Sequence, residues 1–192
     1  MLNSLYMNQQ KQVIILLGPQ GSGKGTQGKK LAKKLNIAYL ETGQLLRDEI
    51  ASGSAEGKYI SSVIDDGTLL PDKYVSKFMS SKISESVESS GVIVDGFPRT
   101  EGQADAFEEV TKTTHVILVD ISDEETMKRL MLRAKIENRA DDTEDKIKYR
   151  LKQYHSDTEP LIERYEAQGI LHRVDGMPDI AEVEKSISKF FE

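Results

Sequence analysis

Short apolar runs alternate along this chain with longer stretches of helical periodicity. The runs are Val13-Ile14-Ile15-Leu16-Leu17, Ile37-Ala38-Tyr39-Leu40, Val92-Ile93-Val94, Val116-Ile117-Leu118-Val119, and Ile170-Leu171 with Val174. Runs of this length, bounded by turn residues, suit strands buried on both faces. The segments between them are long enough for the crossover helices that parallel strands require. The alternation predicts an α/β fold with a central five-stranded parallel sheet. Ligands of such sheets bind at the carboxyl ends of the strands.

Two intervals break the alternation. Thr42 to about Val75 is polar and glycine-punctuated, which predicts short helices folded as a small subdomain. Ala134 to Asp142 is short and charged between two helical patterns, which predicts a flap. The last long pattern puts Ile147, Leu151, Tyr154, Leu161 and Tyr165 on one face, so these aromatics are expected in the core. Pro160 should break that helix.

Composition narrows the class. A chain of 192 residues suits one main domain with a full core. A net charge of −6 argues against a general nucleic-acid surface, so any anion-binding cleft must gather positive charge locally. With no cysteine, disulfides, thiol nucleophiles and cysteine-ligated zinc are excluded. Met1 to Gln10 lack the basic run and apolar core of a signal peptide, and residues 1–11 read as an N-terminal extension. No run reaches membrane-spanning length. A cytoplasmic monomer without nucleic-acid or membrane partners is the expectation.

The chemistry begins at Gly18-Pro19-Gln20-Gly21-Ser22-Gly23-Lys24-Gly25-Thr26, between the first apolar run and a helical pattern. Glycines let a backbone wrap closely around phosphate oxygens with its N–H groups turned inward. The helix N-terminus adds partial positive charge, and Lys24 adds a mobile full charge. An ordinary strand–turn–helix needs one or two glycines, not four around a lysine. The position after the lysine, where a metal-ligating hydroxyl is usual, is Gly25, and the hydroxyl comes one residue later at Thr26.

Asp95 follows the third run at a strand's carboxyl end, where a carboxylate suits a hydrated magnesium ion, though an aspartate there also caps turns. Arginine suits bidentate phosphate contacts. The chain has only eight, and Arg129, Arg133, Arg139 and Arg150 bracket the flap. Arg129 and Arg133 share one helix face. The three histidines, His115, His155 and His172, are scattered and read as structural. Transfer of a phosphoryl group between ionised phosphates needs no general base. It needs positioning, charge neutralisation and exclusion of water.

These motifs, in this order, resemble the nucleoside monophosphate kinases, most closely the adenylate kinases with a short lid. The resemblance runs from about Val13 to Phe191 and implies a P-loop three-layer fold over residues 12–192. It implies an acceptor-binding subdomain at 41–75 and a short lid at 134–142. Gly21, Ser22, Gly23, Lys24, Gly25 and Thr26 match the ATP-binding loop, with Arg129 near the donor base and Arg133 near the transferred phosphate. Thr42, Gly43, Arg47, Thr68, Leu69, Leu70, Gly96, Phe97, Pro98, Arg99 and Gln103 match the AMP-binding positions, joined by Arg139 and Arg150. The amide of Gln103 can donate to and accept from one purine edge. Lys24, Arg99, Arg133, Arg139 and Arg150 match the catalytic set, and Asp141 and Asp142 match lid carboxylates that pair with arginines. Magnesium, reached through water at Asp95, is the implied cofactor, with ATP as co-substrate.

Three positions depart from the family pattern. Gln44 stands where aspartate is frequent, Asn138 where glycine is frequent, and Glu41 where serine is common. The expected reaction is reversible transfer of the terminal phosphate of MgATP to AMP, giving two ADP. A UMP/CMP kinase is the alternative enzyme, but such relatives usually carry asparagine at the positions of Thr100 and Gln103. A nucleotide sensor that has lost catalysis would lack one of the matched charges. A generic GTPase or ATPase switch would lack the Phe97-Pro98-Arg99 motif.

Overall fold

The computed structural model describes residues 12–64, 70–86, 90–137 and 143–192. Within them every apolar run forms a parallel strand: β1 Gln12–Leu17, β2 Ala38–Glu41, β3 Gly91–Asp95, β4 His115–Asp120 and β5 Leu171–Asp175. Their order across the sheet is β2-β3-β1-β4-β5. The chain therefore builds to one side of β1 and then to the other. That reversal opens a crevice at the carboxyl end of β1. Leu16 pairs with Asp95 and Glu41 also pairs with Asp95, so three strands end at one level.

Alternation along β1 splits the core into two layers. Val13, Ile15 and Leu17 pack on the face that carries Phe78, Phe107 and Tyr165. These come from helices α4 (Asp72–Glu85), α5 (Glu101–Glu108) and α8 (Pro160–Ala167). Ile14 and Leu16 pack on the other face, against Leu31 of α1 (Lys24–Leu35) and Val183 of α9 (Ile180–Ser188). A third cluster joins α6 (Asp123–Glu137) to α7 (Glu144–Gln153) through Leu130, Ile147 and Leu151.

The polar interval after β2 contains α2 (Thr42–Ala51) and α3 (Ala55–Ile64). They cross closely at Gly57, where an added Cβ would stand 2.1 Å from the Glu49 carbonyl oxygen. Pro160 opens α8, as a residue without an N–H can. A π-helical turn, Tyr154–Thr158, precedes it. Of the two tyrosines expected in the core, Tyr165 is fully buried, while Tyr154 is half-buried and turned to the crevice. The extra residue per turn in a π-helical segment displaces it from the face that regular periodicity assigns.

Of the flap expected at 134–142, residues 134–137 are helical, because α6 continues through Glu137. Residues 138–142, with Arg139, lie outside the described residues, as do 65–69, with Thr68 and Leu69, and the extension at 1–11. The histidines are not all scattered. His115 and His172, on neighbouring strands, stack at 5.4 Å, and Phe190 packs on His172 at 4.5 Å.

Phe107 is fully buried and meets Phe97 edge-on at 5.2 Å, supporting the loop after β3. Phe107→Ala is expected to cost about 3–5 kcal/mol of stability. Urea unfolding should show a lower midpoint with an unchanged slope.

Candidate active site

The loop between β1 and α1 is shaped by left-handed glycines. Gly18 has φ 133°, and a Cβ there would lie 2.3 Å from the Val119 carbonyl oxygen, so no other residue fits. Gly23 precedes α1 in the left-handed conformation and supplies no side-chain cap. The first amides of α1 are thus left to an anion. The Ser22 hydroxyl is buried in the same loop without a hydrogen-bond partner among the described residues. An orphaned donor inside a ring of backbone amides fits a phosphate group.

Lys24 folds back over this loop, and its ammonium donates to the Pro19 carbonyl at 3.1 Å. Burial holds its pKa below the ordinary lysine value. Asp95 opposes that shift, while Arg99 and Arg133 add to it. Asp95 is itself buried and accepts a 2.6 Å hydrogen bond from the Tyr39 hydroxyl. Burial, then Asp95, pushes the Tyr39 phenol far above its usual range, so it stays a donor. A Cβ on Gly25 would stand 3.1 Å from the Asp95 Oδ2 and 3.4 Å from the Tyr39 hydroxyl. A side chain after the lysine would therefore crowd the carboxylate and the phenol. Thr26 is exposed.

A cleft of about 500 Å³ joins this loop to the acceptor motifs. Lys24, Thr42, Gly43, Arg47, Leu70, Gly96, Pro98, Arg99, Gln103 and Arg150 all line it. Phe97 lies buried beneath. Arg99 donates through Nε to the Gly96 carbonyl at 2.9 Å. Burial lowers its pKa, Asp95 opposes the shift, and Arg150 adds to it. Arg150 reaches the Gln20 side chain and the Lys146 carbonyl. Four cations from separate parts of the chain thus share one crevice in a protein of net charge −6.

Three expected residues behave differently. Arg129 donates to Glu125 at 2.8 Å and to the Gly176 carbonyl at 3.0 Å. It braces α6 against the segment after β5, and neither it nor Arg133 is among the described residues lining the cleft. Gln103 has already committed half of its amide. Its Oε1 accepts from the Arg99 backbone N–H at 2.8 Å, and its Nε2 donates to Asp72 at 3.0 Å.

Sequence reasoning placed Gln20 in the glycine loop and Asp72 at the end of the segment 67–72 that resembles the loop lining the acceptor base. It missed Tyr39 and Thr158, whose hydroxyl donates to the Arg99 carbonyl at 2.8 Å. Only Tyr39 carried a signal, since alternation puts it on the same side of β2 as Glu41. The departures at Glu41 and Gln44 converge on one partner. Arg47 donates to the Gln44 side chain at 2.9 Å and to Glu41 at 3.4 Å.

Among the described residues, no group of three His, Cys, Asp or Glu side chains could hold a metal ion. Asp95 offers a hard oxygen donor beside the loop, which fits a magnesium ion that keeps most of its water. No described helix is long and apolar enough to cross a membrane.

The same segments match known proteins. The family model for adenylate kinase matches residues 16–170. An adenylate kinase of Thermus thermophilus is 40% identical over 171 residues, covering 86% of this chain and 89% of the relative. One from Leptospira biflexa is 40% identical over 181 residues, covering 92% and 97%. One from Micrococcus luteus is 37% identical over 179 residues, covering 91% and 87%. The match takes in the glycine loop, the Phe97-Pro98-Arg99 segment and helices α6 and α7, and with the five-stranded parallel sheet it shows that the chain belongs to the adenylate kinase family.

Proposed function

We propose that this chain is a transferase that moves the terminal phosphoryl group of MgATP reversibly to AMP, giving two ADP. The observation that carries this is the single crevice shared by Lys24, Arg47, Arg99 and Arg150 beside the glycine loop. The loop amides, Ser22 and Lys24 hold the donor phosphates. Arg47 and Arg99 clamp the acceptor phosphate. Arg133, Arg139 and Arg150 neutralise charge on the moving phosphoryl group.

The two phosphate chains repel one another in water. Between fixed guanidinium groups in a low-dielectric crevice that repulsion is replaced by attraction, and little reorganisation is left to the reaction itself. No side chain needs to take a proton, since the acceptor oxygen is already ionised. Magnesium, when bound, supplies further charge neutralisation on the phosphate oxygens, with Asp95 holding its water shell. The site closes over the nucleotides and excludes water that would hydrolyse ATP, and reopening limits turnover. Residues 41–75 close over the acceptor. Thr100 and Gln103 favour AMP over UMP or CMP. The enzyme acts as a cytoplasmic monomer. A coupled assay with ATP across AMP, GMP, UMP and CMP tests the assignment, and preference for a pyrimidine acceptor would overturn it.

Lys24→Met should lower kcat by about 100-fold or more with thermal unfolding unchanged. Near-normal turnover would contradict the role of the loop. Arg99→Ala should raise the KM for AMP by at least about tenfold and that for ATP far less, as expected for lost charge-assisted bonds. Equal effects in initial-rate assays would count against the assigned half-sites. Glu41 competes with phosphate for Arg47 and is partly exposed, so the effect of removing its charge is modest. Glu41→Gln should lower the KM for AMP about two- to threefold, and an unchanged or raised KM would exclude that competition.

A further inference from the structure

We propose that Asp72 determines the base specificity of the acceptor site by fixing which way round the Gln103 amide stands. This rests on the reading of Gln103 as the residue that meets the acceptor base.

A glutamine amide has two N–H donors and two lone pairs on its oxygen. In this protein one of each is used internally. The Arg99 backbone N–H, which can only donate, takes Oε1, and the Asp72 carboxylate, which can only accept, takes Nε2. Neither partner can exchange roles, so the orientation follows from their chemistry. The backbone around Gln103 is pinned as well. Its N–H donates to the Thr100 hydroxyl at 3.1 Å, and its carbonyl accepts from the Ser76 hydroxyl at 3.2 Å. Turning the amide over would set N–H against N–H and oxygen against carboxylate.

Gln103 lines the cleft with one N–H and one lone pair remaining, in fixed order. A 6-aminopurine presents a donor at C6 beside an acceptor at N1. A 6-oxopurine presents the reverse. An amide free to turn over satisfies either base equally well, whereas one locked on both sides satisfies only one. The Arg99 N–H is a backbone group that survives every substitution but proline, so Asp72 is the side-chain half of the lock. Asp72 is also the first residue of α4, where an acidic side chain favours the helix terminus. That role is indifferent to the base of the acceptor, and the two roles separate by experiment. Asp72 acts through Gln103 and is a positioning residue.

The test compares AMP with IMP, which differ only at C6 and N1 of the base, as acceptors with MgATP in initial-rate assays. Asp72→Ala is expected to lower the AMP-to-IMP ratio of kcat/KM about tenfold, the value of a hydrogen bond to a charged group. Asp72→Asn, which keeps the volume and permits either orientation, should lower it in the same direction by less. An unchanged or higher ratio in both variants overturns the proposal, including the case in which both acceptors lose equally. Gln103→Leu is the control on the underlying reading. If it leaves the KM for AMP unmoved, Gln103 does not meet the base, and that reading fails whatever the Asp72 variants show.

Discussion

The interaction on which the rest of the site depends is the pull of one buried carboxylate, Asp95, on the cations gathered beside it. Lys24, Arg47, Arg99 and Arg150 line one crevice; desolvation lowers the pKa of Lys24 and Arg99, Asp95 opposes that shift, and neighbouring cations add to it. The cluster is held by carbonyls at Pro19, Gly96 and Lys146, by the buried Asp95 carboxylate and, at Arg47, by Glu41. The fold tolerates this because the crevice stands at the ends of strands whose other residues form two dry layers of aliphatic side chains.

Asp95 links the two halves of the site. Its side chain receives the Tyr39 phenol and faces Lys24, while its backbone carbonyl accepts from the Thr42 hydroxyl at 3.0 Å, where α2 begins. The next residues carry the chain to Arg99 and then to Gln103, whose amide returns to Arg99. The glycine loop and the loop after β3 are therefore both tied to one strand end. The parallel register that aligns Leu16, Asp95 and Glu41 is part of the chemistry as well as of the fold.

Much of this was legible in the chain. The five apolar runs became the five strands because residues such as Ile14, Ile93 and Ile117 are buried between helical layers, and nothing but consecutive apolar side chains suits such a place. The glycine loop was legible because a left-handed backbone against a neighbouring carbonyl excludes every other residue at Gly18. The bonds among site residues were not legible. Gln103 with Asp72, Arg150 with Gln20 and Thr158 with Arg99 join positions 31, 130 and 59 residues apart. Only tertiary packing brings such pairs together, and no local period announces them. Tyr154 escaped for a different reason: a π-helical turn changes the periodicity on which its core placement rested.

Gly25 carries a consequence for the two groups packed against it. A side chain there would press on a carboxylate oxygen that is itself held by a phenol at 2.6 Å. Relief would require the Asp95 carboxylate or the Tyr39 phenol to move by a few tenths of an ångström, so any change at Gly25 is felt first in that hydrogen bond and the three positions constrain one another.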